Sequence, residues 1–240
     1  MIGRNHFLKR ENSTLTNKET YKAKFLGYAK NNLSEFYRGI TPWQVSESGH
    51  DDSLLYFTNH FERFWAMICL AKEHIGKPKS LCEIGSFYPY VCMYWSGKID
   101  LYDIVPIICP SALPYNTQQV TLYPFNICTE DFPLNKHYDF ITLSEVLEHL
   151  PVNLFEIEKK VIDVLAPGGY ILVTYPIQYQ NHTFGYEKVM GDPNKMYGEH
   201  LREFTPETTK LFFKKLTKID SVTMSYPAYG KTILTLYQKA

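Results

Sequence analysis

The sequence predicts an α/β fold built on a doubly wound, mostly parallel sheet. From Ser80 onward, short apolar runs alternate with longer segments of helical periodicity, the pattern of parallel strands joined by crossover helices. The short runs have strand length and are bounded by turn residues. The chain then ends in two β-rich runs separated by Ala228-Tyr229-Gly230, a hairpin that adds an antiparallel edge.

In order along the chain, residues 1 to about 20 are polar and lack apolar periodicity, so they read as a loose arm. Phe25, Leu26, Tyr28, Ala29, Leu33 and Phe36 recur at helical spacing before Gly39 and Pro42 interrupt them. Asp51-Asp52-Ser53 offers caps for a helix through Phe57, Phe61, Phe64, Trp65, Ile68, Cys69 and Ala71, ending before Gly76-Lys77-Pro78. Strands are expected at Leu81 to Ile84, Ile99 to Asp103, Val120 to Phe125, Tyr138 to Leu143 and Tyr170 to Tyr175. Helices are expected around Val91 to Trp95, over Val152 to Leu165 and over Pro206 to Leu216, with the closing hairpin at Ile219 to Tyr226 and Thr232 to Tyr237. These runs sum to seven strands. The natural division is an N-terminal arm with covering helices over 1–78 and a sheet domain over 79–240.

Composition narrows the class. Of 240 residues 45% are hydrophobic and 21% charged, and 25 basic side chains balance 25 acidic ones to a net charge of zero. Such a chain buries a core without disulfides or a structural metal, and it is neither collagen-like nor disordered. No apolar run approaches the roughly 20 residues of a membrane-spanning helix, and the first thirty residues lack a secretory apolar core, so a cytoplasmic location is expected. Five cysteines, Cys69, Cys82, Cys92, Cys109 and Cys128, are never spaced C-x-x-C, which fits reduced thiols and excludes a cysteine-only zinc site. The zero balance lacks the basic excess that holds a nucleic-acid backbone, so nucleic acid is not the expected partner.

In an open parallel sheet, ligands bind beyond the carboxyl ends of the strands, where the strand order reverses. Three strand ends carry suitable residues. Gly85 directly follows a strand in Glu83-Ile84-Gly85-Ser86, permitting close backbone approach, although a plain turn uses the same residue. Asp103 closes the second strand 18 residues later, near the ~20-residue offset at which an acidic side chain meets a ribose. Ser144 and Glu145 follow the fourth strand, with Glu148 and His149 just beyond.

From Ser80 to Lys239 the chain resembles the class I S-adenosylmethionine-dependent methyltransferases. The matching stretches are Leu-Cys-Glu-Ile-Gly-Ser at 81–86, Asp-Ile at 103–104, Tyr-Asp-Phe-Ile-Thr-Leu-Ser-Glu-Val-Leu-Glu-His-Leu at 138–150 and Leu-Ala-Pro-Gly-Gly-Tyr-Ile-Leu-Val at 165–173. The resemblance implies a Rossmann-like seven-stranded sheet and S-adenosylmethionine as cofactor. It implies that Glu83, Gly85, Ser86 and Phe87 hold the cofactor's amino acid end, that Asp103 with Ile104 takes the ribose, that Asn126 and Ile127 lie near the adenine, and that Ser144 and Glu145 floor the site. Pro167-Gly168-Gly169 becomes a turn before the fifth strand. The chain departs from the family's Glu/Asp-x-Gly-x-Gly-x-Gly pattern, because Phe87 and Pro89 stand where two glycines are usual.

Glu145-x-x-Glu148-His149, together with His200 in Glu199-His200-Leu201-Arg202, is similar to the metal-binding arrangement of small-RNA 2'-O-methyltransferases and ubiquinone-pathway O-methyltransferases. If residues 145–149 begin a helix, Glu145, Glu148 and His149 share one face and, with His200, can ligate Mg2+ or another divalent ion. Without a metal, His149 is the candidate general base, since an imidazole titrates near neutrality, with Glu148 beside it and His200 and Arg202 facing the acceptor. Aromatics in the 86–90 and 175–190 stretches suit an acceptor pocket for sugars or aromatic small molecules. The expected activity is O-methylation of a small-molecule or glycan-type acceptor. Alternatives are a metal-assisted RNA 2'-O-methyltransferase and a non-catalytic binding protein that kept the fold.

Overall fold

The computed structural model describes residues 17–27, 52–86, 89–104, 119–177, 201, 202, 204–226 and 230–240. Its sheet has seven strands: β1 (Ser80–Ile84), β2 (Lys98–Asp103), β3 (Val120–Pro124), β4 (Tyr138–Ser144), β5 (Leu165–Ile177), β6 (Thr217–Tyr226) and β7 (Gly230–Gln238). They lie in the order β3-β2-β1-β4-β5-β7-β6. β1 to β5 run parallel, and β7 inserts antiparallel between β5 and β6. The order reverses between β1 and β4, so the carboxyl ends of β1, β2 and β4 frame the switch point of a doubly wound sheet.

Burial explains the strand sequences. Leu81, Cys82, Glu83 and Ile84 of β1 are all buried, as a central strand covered on both faces requires. One face carries the helix at residues 17–27 (α1) and α2 (Asp52–Lys72), whose Tyr21, Phe25, Phe61, Phe64, Trp65 and Ile68 share a core with Leu81, Ile99, Leu101 and Phe140. The other face carries α3 (Leu154–Val164), whose stripe of Leu154, Ile157, Val161 and Val164 packs on Ile84, Ile141, Leu143, Ile171 and Val173 at the spacing a helix needs to bury one side. Asn153 caps α3 by accepting the Phe155 N–H at 3.1 Å. Lys239 closes its other end by donating to the carbonyls of Ile162 and Leu165, both at 2.7 Å.

Several expected elements differ. The segment 17–20, expected in the loose arm, is already helical, and Tyr21 one residue on is 3% exposed against the core. The helix expected at Val91 to Trp95 is a single 3-10 turn, Cys92–Tyr94. The helix expected over Pro206 to Leu216 is a 3-10 turn, Thr208–Leu211. There the Thr205 and Thr208 hydroxyls each accept the other's backbone N–H, a local pairing that competes with helix propagation, and Phe213 at φ 55° ends it. The fifth strand is longer than expected, because Pro167-Gly168-Gly169 bulges within it. Tyr138 pairs with Leu165 and Phe140 with Tyr170, while Gly168 and Gly169 exchange backbone hydrogen bonds with Lys239. The helical spacing at residues 28–36 and positions 178–190 of the aromatic 175–190 stretch lie outside the described residues, as do Phe87 and His200. No described helix is long and apolar enough to cross a membrane, and Cys69, Cys82, Cys92 and Cys128 are free thiols.

Candidate active site

At the end of β1 the chain turns through Gly85 at φ 66°, a left-handed conformation that glycine adopts without strain. Its N–H donates to the Tyr102 carbonyl at 2.8 Å. A Cβ on Gly85 would stand 2.5 Å from Val146 Cγ2, so the turns after β1 and β4 touch here. Glu83, 1% exposed, is turned inward. Its carboxylate accepts the N–H groups of Val91 (3.2 Å) and Cys92 (2.9 Å) and the Ser86 hydroxyl (3.3 Å). Burial nevertheless outweighs these bonds and pushes its pKa up to about 7. Glu83 therefore holds Ser86 on one side and Val91 and Cys92 on the other.

Asp103 is 7% exposed and terminates β2, its carbonyl accepting the Phe125 N–H at 2.9 Å. Ile104 follows, half-buried. Beyond β3 the Asn126 side chain makes an Asx turn, accepting the Cys128 N–H at 3.0 Å, while its own N–H donates to Glu130 Oε1 at 2.8 Å. Ile127 is 7% exposed beside it.

Ser144 ends β4 and Glu145 follows it, and here α2 enters the site. Ser144 Oγ lies 3.6 Å from Met67 Sδ. Glu145 sits at φ 55°, a conformation costly for a residue with a Cβ. Thr174 holds it there, accepting the Glu145 N–H at 2.9 Å and donating to its Oε1 at 2.7 Å. Arg63 of α2, 3% exposed, brings Nη1 to 3.5 Å from Glu145 Oε2. Glu148 is fully buried, and neither carboxyl oxygen meets a side-chain hydrogen-bond partner among the described residues. Burial, then the charge of Glu145, hold its pKa well above the usual carboxylate range, against a smaller pull from Arg63. His149 Nε2 lies 3.7 Å from Glu148 Oε1, and its side chain is 30% exposed. His60, one turn before Arg63, is pushed down to about 4 by burial and then by Arg63.

The structure thus gathers Glu83, Gly85, Ser86, Asp103 and Ile104 at one side of the switch point, and Ser144, Glu145, Glu148 and His149 at the other. Arg63, Met67 and Thr174 were not singled out by the sequence reading. A signal existed for Arg63: it interrupts the apolar series Phe61, Phe64, Trp65, Ile68 on the buried side of α2, where a charge needs a partner. Tyr90, expected near an acceptor pocket, is core instead, with its ring 4.6 Å from Phe64 and 5.5 Å from Phe25. Tyr175 is likewise fully buried.

The shared helical face expected for Glu145, Glu148 and His149 does not form. Glu145 lies in the left-handed turn, and only Leu147–His149 make a 3-10 turn, cut short because Pro151 disfavours a helical Leu150. Glu145 is already engaged by Arg63 and Thr174, and Glu148 is closed off. Among the described residues no group of three His, Cys, Asp or Glu side chains is arranged to hold a metal ion. The described members of the proposed ligand set thus lack the shared helical face that the metal reading required, and its fourth member, His200, lies outside the described residues.

Comparison with known proteins agrees with this fold. The methyltransferase domain family matches residues 62–216, from α2 to the turn before β6. No curated protein matches the chain in sequence. Among solved structures, the chain is similar to the N-methyltransferase NodS from Bradyrhizobium japonicum WM9 in complex with S-adenosyl-L-homocysteine, at TM-score 0.55 and 14% identity over 87% of this chain and 97% of that one. It is similar to the 1,6-didemethyltoxoflavin-N1-methyltransferase of Burkholderia thailandensis, solved with 1,6-didemethyltoxoflavin and S-adenosylhomocysteine, at TM-score 0.55 and 14% identity over 78% and 86% of the two chains. An S-adenosylmethionine-dependent methyltransferase of Methanosarcina mazei matches at TM-score 0.51 and 16% identity, over 71% of this chain and 96% of that one. These likenesses are likenesses of fold, and the family match covers more than half of the sequence: the chain belongs to the class I S-adenosylmethionine-dependent methyltransferase family.

Proposed function

We propose that the chain methylates an oxygen of a small-molecule or glycan-type acceptor, with the cofactor beyond β1 and β2 and the acceptor beside the β4 turn. The observation that carries this reading is the pair formed by Gly85 at φ 66° and the buried Asp103 on adjacent strands at the switch point. Bound S-adenosylmethionine supplies an electrophilic methyl group. Glu83 and Ser86 shape the loop that borders its amino acid end, with Phe87 on that loop, and Gly85 leaves room for close approach. Asp103 accepts hydrogen bonds from the ribose hydroxyls, with Ile104 beside it. Asn126 and Ile127 border the adenine, and Ser144 and Glu145 form the floor.

His149 takes the proton of the acceptor hydroxyl on its imidazole as the oxygen reacts. Glu148 sits behind His149 as a buried neighbour. Rate acceleration comes chiefly from alignment of acceptor oxygen and methyl group, which can supply several kcal/mol. The zero net charge favours a small acceptor over RNA. The test is an acceptor screen over sugars and phenols with labelled S-adenosylmethionine. Transfer should appear on a hydroxyl and fall about 10²-fold or more in His149→Ala; transfer to nitrogen, or full activity of the variant, contradicts the assignment.

A further inference from the structure

We propose that Lys160 is a positioning residue for the adenine end of the cofactor site, a latch from α3 onto the loop 126–131. The inference rests on the reading above that Asn126 and Ile127 border the adenine. Lys160 Nζ donates to the Glu130 carbonyl at 2.6 Å and to the Ile127 carbonyl at 3.2 Å, and lies 3.1 Å from Asp131 Oδ1. An ammonium has three protons, and all three are directed at one five-residue stretch of backbone and side chain. A solvated lysine on a helix flank seldom holds such geometry, because ordering its long side chain costs rotamer entropy.

The rest of the loop shows what the latch completes. Its base is closed by the Phe125 and Phe132 rings, 4.6 Å apart, with Tyr102 edge-on to both at 5.1 and 5.0 Å. Its interior is fixed by the Asx turn of Asn126 and by Glu130 Oε1 accepting the Asn126 N–H. Its outer side is held by Lys160, whose neighbour Val161 is fully buried, so the lysine stem starts from a fixed point. In this arrangement the Ile127 carbonyl is drawn toward α3, and the Ile127 N–H has no acceptor among the described residues. That leaves a backbone donor beside the Asx turn for a ring nitrogen of a purine.

Without the latch the loop samples other conformations, and apparent affinity falls by the fraction of time it is correctly formed. The test is calorimetric titration of the full chain with S-adenosylhomocysteine and with S-inosylhomocysteine, in which a carbonyl replaces the 6-amino group. Lys160→Met should raise the S-adenosylhomocysteine dissociation constant about tenfold and shrink the wild-type preference for adenine over hypoxanthine, while Lys160→Arg restores both to within about threefold. Asp131→Asn, at an 84% exposed side chain, removes one arm without disturbing the core and should cost about twofold. Unchanged binding in Lys160→Met overturns the latch, as does an equal loss for both ligands, which signifies general loosening. Absence of binding in the wild type overturns the latch together with the cofactor reading.

Discussion

Gly85 and Glu83 show how much of the site is decided by single residues. Gly85→Ala forces a Cβ into the left-handed region and against Val146. It should cost about 1–3 kcal/mol of stability and weaken S-adenosylhomocysteine binding, measured by urea denaturation and calorimetry. Glu83 has a testable pH signature. Its folded pKa of about 7 lies above the unfolded value near 4.5, so the folded state binds the extra proton. The stability this group contributes is complete below pH 4.5, declines as pH rises and is gone above about pH 7. Glu83→Gln should flatten that decline, gaining on wild type by up to about 3 kcal/mol between pH 5 and 8; parallel pH profiles for the two proteins would contradict the protonation. The sequence marked Glu83, Gly85 and Asp103 because their types and offsets are local information. It did not show that Glu83 turns inward to hold Val91 and Cys92, since that depends on how the 86–91 loop folds back.

Among elements, the strands were the most legible, because buried parallel strands are runs of apolar residues whatever their neighbours. The boundaries moved where a backbone detail intervened, as at the Pro167-Gly168-Gly169 bulge that lengthens β5. Helices expected at 91–95 and 206–216 became single turns, since their apolar residues fill gaps beside the sheet without a continuing stripe. The contribution of α2 to the site was hidden for a different reason. Arg63 meets Glu145 across 82 positions of sequence, and only tertiary packing brings them together. Removing the guanidinium leaves the Glu145 carboxylate, 14% exposed, without its cation. Arg63→Met should therefore destabilise the protein by about 2 kcal/mol or more, and Arg63→Lys by less; equal stability of Arg63→Met and wild type in denaturant titration would show that the pair contributes nothing.

At the scale of the whole molecule, the sheet order places three loops of unrelated sequence at one edge. α1 and α2 share a core with β1 and β2, so the covering helices are integral to the packing of the sheet. The seven-strand count and the antiparallel hairpin followed from element alternation together with the family resemblance, whereas the strand order came from the structure. The regular helix after β4 on which the metal reading rested is interrupted by Glu145 at φ 55° and by Pro151. What unites the molecule is the claim that the edge formed by Gly85, Asp103 and Ser144 binds the cofactor. Calorimetric titration with S-adenosylhomocysteine tests it most directly, comparing wild type with Asp103→Ala. Micromolar binding near −8 kcal/mol, weakened about tenfold or more by the substitution, is the predicted result. No binding by the wild type, or equal binding by both proteins, would contradict the placement of the site.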